Sequence, residues 1–465
     1  VKILIGNHID PAIRNRGDLR AWTQRIVWFA REGDVIVLSD EPDRRFLAYA
    51  TSFTGVDAQS LHIIVPPAGR HGGRLLDPES LTDAGFVHTV RDRLGEVGLD
   101  QVEEVFALWP SAHVSRFAAA LGVEDRFPGA GFFSQGGGEL GNNKATFRAL
   151  AAGAGVPIPA GSVCHSVHEA VAATADLLAV TGAVVVKQAH NGAGVGNQLV
   201  LRDMSLPVDH VGARHLHQLD GRDPNAIEAY WTQRWDWASA RGRFPVVVEK
   251  FTPHTGSVYS EHHVADHGSR PTEMGTLHYV GRRLSRQVVP LRGTDNSVRE
   301  RLLRGGTQLA EAYRAFGYRG YLSADAIVTP EGQVVFTEVN AQVSGSLHIY
   351  EVIAHHIVGV TAIPERSVVE YHVPPTWAVP DFETFLAAVD ELGCAYAPDT
   401  RTGVIVSMPV IPLEVNRAQF LFCIAYATDA DRRAMFNRLD ARFATIPADT
   451  YSASDRIGVP LPPAP

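Results

Sequence analysis

The sequence predicts an α/β protein of more than one domain, opening with a parallel α/β domain and closing with a small α+β unit. Three observations carry this. Short apolar runs alternate with helical stretches through about residue 135, the pattern of an open parallel sheet. Two apolar runs late in the chain flank the turn Thr329-Pro330-Glu331-Gly332, which marks a β-hairpin. A Pro-rich connector at 373–380 sets the last stretch apart. At 465 residues the chain is too long for one core. The expected division is 1–135, 136–365 with an inserted element at about 205–244, and 366–465.

In the first part, strands are predicted at 2–5, 34–38, 62–65 and 104–108, with a helix at 19–31 among the segments between them. Gly6 ends the first strand, but no GxGxxG follows and no dinucleotide site is read. The stretch 132–141, FFSQGGGELG, reads as a boundary or mobile loop. A helix at 143–152 follows, capped by Asn142 or Asn143 and ended by Gly153, Gly155, Pro157 and Pro159. Strands recur at 183–187, 246–250, 322–328 and 333–339. The terminal unit carries a helix near 382–392, strands near 403–410 and 419–426, and a helix at 429–443 with Met435, Leu439 and Phe443 on one face. The tail at 460–465 reads as disordered.

Composition narrows the function. A net charge of −9 argues against a general nucleic-acid binder, which needs a basic surface. No stretch approaches the ~20 apolar residues that cross a bilayer, and the first ten residues do not read as a signal peptide. Cys164, Cys394 and Cys423 form no disulfide framework, which fits a reducing cytoplasm. The 20 histidines include adjacent pairs, but there is no HExxH and no zinc site is read. Trp231, Trp235 and Trp237 read as packing, with an aromatic clamp as the alternative.

Four pieces carry chemistry. In the hairpin, Glu338 and Asn340 share a face by strand alternation, and Asp325 can join them from the partner strand. Two carboxylates and an amide oxygen among apolar strands are a donor set that Mg²⁺ favours; the alternative is an edge hairpin with its acids in solvent. In 184–196, VVVKQAHNGAGVG, a buried strand ends at Lys187 and a loop with Gly192, Gly194, Val195 and Gly196 follows. Glycine lets backbone N–H groups approach phosphate, although the spacing is not a P-loop and a plain turn remains open. VVVEKF at 246–251 offers Glu249, Lys250 and Phe251 at a strand exit, to an adenine edge or to solvent. Lys144 lies in the first turn of the helix after the glycine-rich stretch.

In this order the pieces resemble the ATP-grasp superfamily, over about 142–353. The hairpin is also similar to that of D-alanine–D-alanine ligases in Gly317, Arg319-Gly320, Asp325 and Glu338-Val339-Asn340. The resemblance implies an ATP-grasp fold between a pre-ATP-grasp domain and a small C-terminal domain, with ATP and Mg²⁺ as cofactors. It implies that Lys144 and Lys187 contact phosphates and that the loop 191–197 closes over them. Glu249 would accept from the adenine amino group, and the Lys250 and Phe251 backbone would meet the other ring edge. Asp325, Glu338 and Asn340 would hold the metal. Many members continue Asn-x-Arg, but here Ala341-Gln342 follows Asn340. The arginine steadying the acyl phosphate must come from elsewhere: Arg292 or Arg286 is the assignment, with Arg282 and Arg283 as further candidates. The flanking domains look similar to those of pheganomycin-type peptide ligases, implying amide-bond formation in peptide natural-product (antibiotic) biosynthesis.

The implied reaction makes an acyl phosphate from a small carboxylate donor and passes it to an amine or peptide acceptor. The loop at 342–346 is placed near the acyl substrate. No nucleic acid or membrane partner is implied, and a homodimer is compatible. The rival readings are an ATP-grasp kinase and a non-catalytic scaffold of the same fold.

Overall fold

The computed structural model describes residues 1–7, 18–192, 194–202, 205–220, 223–414 and 417–445. The expected tail at 460–465 lies outside them. No helix among the described residues is long and apolar enough to cross a membrane.

The N-terminal strands β1 (Lys2–Ile5), β2 (Val35–Val37), β3 (His62–Ile64) and β4 (Glu104–Ala107) form a parallel sheet in the order β3-β2-β1-β4. The predicted helix at 19–31 is an α-turn, Arg20–Gln24, that tightens into a 3-10 segment, Arg25–Phe29. The expected mobile loop at 132–141 is instead two short helical turns, Ala130–Ser134 and Gly137–Gly141. Its glycines serve close approach rather than mobility. A Cβ on Gly138 would lie 2.6 Å from Pro110 O, and one on Gly137 2.3 Å from the Phe132 ring.

The next sheet combines β5 (Gly161–Cys164), β6 (Ala183–Gln188), β7 (Asn197–Leu201), β8 (His215–Gln218) and β9 (Val246–Lys250), in the order β5-β9-β6-β7-β8. The stretch read as an insertion supplies β8 and the helix Ala226–Ala238. Trp231 of that helix is fully buried and donates to Thr174 Oγ1 at 2.9 Å, so it packs.

The large sheet contains β10 (Gly256–Ala265), β11 (Gly268–Val280), β12 (Arg283–Val289), β13 (Gly320–Val328), β14 (Val334–Asn340) and β15 (Ser367–His372). It continues with β16 (Gly403–Val406); a separate hairpin, β17 (Ile411–Glu414) and β18 (Arg417–Gln419), precedes β19 (Leu421–Tyr426). The order is β14-β13-β10-β11-β12-β15-β19-β16, so the C-terminal strands extend this sheet through β15. The helix Asp429–Phe443 buries Met435, Leu439 and Phe443, as its spacing predicts.

Side chains of directly paired residues share a face. One row on the large sheet runs Glu338, Asp325, Tyr259, Gly275. The next runs Asn340, Ser323, Glu261, Glu273. Against this region packs a π-helix, His348–Val358, that sequence patterning did not identify; π-turns are frequent at functional sites. Its His355 Nε2 lies 2.8 Å from Glu273 Oε2. The opposite face is covered by the helix Asn296–Phe316, seated through Gly305 and Gly306.

A Cβ on Gly305 would fall 2.3 Å from the ring of fully buried Phe336. Alanine favours an isolated helix by ~1 kcal/mol, but overpacking a rigid core costs about 1–3 kcal/mol. Gly305→Ala should therefore lower stability by about 1–2 kcal/mol in urea unfolding; an unchanged or raised midpoint would contradict this seating.

Candidate active site

The site lies where the five-stranded sheet meets the hairpin of β13 and β14. Asn143 caps the helix Lys144–Gly153 by accepting from Ala145 N, which orients its first turn. Lys144 and Arg148 are four residues apart and so share a helix face. Lys144 Nζ lies 2.9 Å from Glu338 Oε1 and donates to Asn191 O at 2.7 Å. Arg148 Nη1 donates to Glu249 Oε1 at 2.7 Å. Lys187, near the end of β6, lies 2.6 Å from Glu249 Oε2 and donates to Thr337 O at 2.9 Å. Lys144, Arg148, Lys187 and Glu249 are all buried. Charges so buried persist only when paired; here the helix Lys144–Gly153 reaches the hairpin through Lys144 and the five-stranded sheet through Arg148, and Lys187 bonds across to Thr337 O.

The structure brings Asp325, Glu338 and Asn340 together. Asp325 and Glu338 are cross-strand partners. Asn340 Nδ2 donates to Asp325 Oδ2 at 3.2 Å, and Ser323 Oγ donates to Oδ1 at 3.2 Å. Burial, then the charges of Glu338 and Glu261, pushes the Asp325 carboxyl up to about 7 against the hydrogen bonds from Ser323 and Asn340. A cation would relieve that crowding. Among the described residues no three His, Cys, Asp or Glu side chains gather as a metal cage, so the donor set is two carboxylates plus one amide. With the Asn340 amide turned to present its oxygen, the set is all-oxygen and fits Mg²⁺. Asn142 fixes the next residue of the chain: its Oδ1 accepts from Ala341 N at 3.0 Å and its Nδ2 donates to Ala341 O at 3.2 Å.

Of the glycine loop, residues 191–192 and 194–197 are described and residue 193 lies outside them. Gly194 has φ +69°, and a Cβ there would lie 2.9 Å from Gly212 O. Val195 N donates to Gly192 O, and Gly196 O accepts from Gln188 N. Asn191 sits at φ 98°, a costly conformation for a residue with a side chain, at the point where Lys144 grips its carbonyl.

Other expected contacts are differently placed. Glu249 lies between Arg148 and Lys187, with each oxygen already paired, and is not presented as a free adenine acceptor. Lys250 N donates to Ala160 O at 2.7 Å and Phe251 N to Ala183 O at 3.2 Å, so neither N–H is left for a ring edge. Arg286 pairs in register with His278 and Tyr371, one position out of phase with Gln287 and Leu277 of the Asp325 face. It therefore points to the opposite face, and is not brought to the carboxylates. Arg292 donates to Arg366 O at 2.7 Å in an exposed position, and Arg282 pairs with Asp209. Sequence reasoning missed Arg148, although its four-residue offset from Lys144 was a usable signal. It also missed Glu261, whose row adjoins Asp325. Burial pushes Glu261 up to about 7, helped by Glu273 and opposed by the hydroxyls of Ser346, Ser344 and Ser323.

Residues 23–123 match the family model of the pre-ATP-grasp domain. No curated protein matches the sequence. Solved structures match its fold. The N5-carboxyaminoimidazole ribonucleotide synthetase of Thermus thermophilus is 13% identical, covering 96% of this chain and 99% of its own, with a TM-score of 0.55. The Campylobacter jejuni biotin carboxylase, solved as a β,γ-ATP complex, is 13% identical, covering 95% and 91%, with a TM-score of 0.55. The L-amino acid ligase of Bacillus licheniformis is 12% identical, covering 95% and 97%, with a TM-score of 0.52. The chain has the ATP-grasp fold, preceded by a pre-ATP-grasp domain.

Two outcomes follow from the buried charges. Arg148→Ala leaves Glu249 with one cation and should destabilise by about 3 kcal/mol; a loss below 1 kcal/mol in urea unfolding would mean the Arg148 pair is dispensable. Glu261 holds its proton more tightly folded, at about 7, than at its ordinary 4.5. Its contribution to stability is therefore best below about pH 4.5, falls as pH rises to about 7, and is level above. Between about pH 5 and about pH 8, Glu261→Gln should gain about 2–3 kcal/mol on the wild type. Parallel pH profiles for the two proteins would refute the shift.

Proposed function

We propose that the chain is an ADP-forming carboxylate–amine ligase that uses ATP and Mg²⁺. The observation that carries this is Asp325, Glu338 and Asn340 grouped on one hairpin face, with Lys144 and Lys187 reaching them and their neighbours from across the cleft. The fold shared with an L-amino acid ligase supports the same reading.

In the first step a carboxylate oxygen of the donor attacks the γ-phosphorus of ATP, the bond to the β–γ bridging oxygen breaks, and ADP leaves. Two anions must meet, so charge neutralisation and positioning carry the step. Lys144 and Lys187 would exchange carboxylate partners for phosphate oxygens, and the 191–197 backbone would cover the phosphates. Asp325, Glu338 and Asn340 would hold Mg²⁺, which supplies further neutralisation of phosphate charge when bound. In the second step an amine attacks the acyl carbon, the C–N bond forms, and inorganic phosphate departs. The closed cleft protects the acyl phosphate from water. The Arg292 and Arg286 positions do not favour either as the stabiliser of the tetrahedral intermediate.

The finer reading is peptide-bond formation in natural-product (antibiotic) biosynthesis, in the cytoplasm. The resemblance of the two flanks to pheganomycin-type ligases, read from the sequence, supports the product, and three free, buried thiols fit a reducing compartment.

ATP, Mg²⁺ and pools of amino acids and peptides should give ADP and a product lighter than its parts by one water, read by mass spectrometry. Lys187→Ala and Glu338→Ala should each slow ADP release by about 100-fold or more, and near-normal turnover in both would remove the assignment. Oxygen label from the donor carboxylate should appear in released phosphate; label retained in a phosphorylated product would mean a kinase.

A further inference from the structure

The chain that leaves β14 keeps the alternation of that strand for three more residues. Val339, Ala341 and Val343 are buried, while Glu338, Asn340 and Gln342 are half-buried. Side chains two apart on extended backbone share a face. Gln342 therefore projects on the same side as Glu338 and Asn340, about 7 Å beyond Asn340 along the chain. The backbone here is held from its other side. Asn142 bonds the N–H and C=O of Ala341, Leu108 O accepts from Val343 N, and Arg25 donates to the carbonyls of Val343 and Ser344.

The other side chains of 341–346 are committed elsewhere. Ala341 and Val343 pack in the core. The hydroxyls of Ser344 and Ser346 lie 2.9 Å apart, and Ser346 donates to Glu261. Gln342 differs: among the described residues its amide has no hydrogen-bond partner. Its Oε1 is shut off from solvent, and Nε2 is the end of this half-buried side chain that stays open. A primary amide can form several hydrogen bonds, and one left with none beside a reactive centre calls for a reason. Holding the fold is not that reason, because the side chain bonds nothing in the fold. A donor aimed along the metal-ligand face and waiting for an acceptor is the simpler account.

We propose that Gln342 is a catalytic residue whose Nε2 donates a hydrogen bond to the acyl oxygen, in the acyl phosphate and in the tetrahedral intermediate. The proposal rests on the ligase reading and supplies the stabiliser that Arg286 and Arg292 do not. In the second step the amine's lone pair forms the C–N bond, and the C=O pair moves onto the acyl oxygen, where the amide N–H meets it. The pair then returns, the C–O bond to phosphate breaks, phosphate leaves with the bonding pair, and the amine's proton passes to water. A preorganised donor at that oxygen strengthens as charge develops there. Being neutral, it adds no cation to a cleft whose two lysines already serve the phosphates.

The test uses the full chain with ATP, Mg²⁺, pools of amino acids and peptides as donors, and hydroxylamine as the amine, reading ADP and acyl hydroxamate. Gln342→Ala removes the amide, and Gln342→Glu keeps its shape but replaces the N–H donor with an acceptor. Each should lower kcat for hydroxamate by about 100-fold or more, with KM for ATP changed by less than about 2-fold. The urea midpoint and ADP affinity of Gln342→Ala should match the wild type, because no protein contact is lost. Turnover of either variant within about 3-fold of the wild type overturns the assignment, since a transition-state donor is worth far more. A lowered urea midpoint for Gln342→Ala overturns it too, by showing that the side chain holds the fold. A wild type that yields neither ADP nor hydroxamate would instead remove the ligase reading itself.

Discussion

The structure depends on charge pairing across the cleft between its two antiparallel-rich sheets. The helix Lys144–Gly153 joins the two sides, with Lys144 paired to Glu338 of β14 and Arg148 to Glu249 of β9, while Lys187 pairs with Glu249 inside the five-stranded sheet and reaches across to Thr337 O of β14. Ions this deep are tolerated only as pairs, so these contacts fix how the sheets face each other. On the ligase reading the same feature explains how a strongly anionic nucleotide could enter. Lys144 can pass from Glu338 to a phosphate while Glu338 passes to a metal ion, and every charge stays paired before and after. The lysine grip on the Asn191 carbonyl would be released in the same exchange, so nucleotide entry and movement of the glycine loop share one lysine.

Local pattern made much of this legible. The hairpin could be read because its turn residues and alternation act over a few residues, and they put Asp325 opposite Glu338. The Asn143 cap and the strand ending near Lys187 are local in the same sense. What could not be read depends on residues distant in sequence. Glu249 looked available to a ring because its partner Arg148 is 101 positions away. Lys250 and Phe251 looked open because the carbonyls of Ala160 and Ala183 that take their N–H groups belong to other segments. The glycines at 137 and 138 looked mobile because the Phe132 ring and Pro110 carbonyl that demand them are invisible to composition. The C-terminal strands looked separate because a sheet edge offered by β15 leaves no mark on their own alternation.

The N-terminal domain shapes the site rather than only supporting it. Leu108 O accepts from Val343 N at 3.2 Å, and Arg25 holds the next two carbonyls of that loop. Asn142, just before the capped helix, clamps Ala341 on both its N–H and its C=O. The backbone leaving Asn340 is therefore fixed from outside its own sheet at consecutive points. A carboxylate or amide serving a metal must be held within a few tenths of an ångström of its productive position. Strand pairing alone holds Asn340 on one side only, because β14 is the edge strand of the large sheet. The outside clamp supplies the missing constraint, and it explains why a domain with its own separate parallel sheet contributes the buried Arg25 side chain to this loop. Its contacts do what a neighbouring strand would do, while leaving the outer edge of β14 free of a further strand.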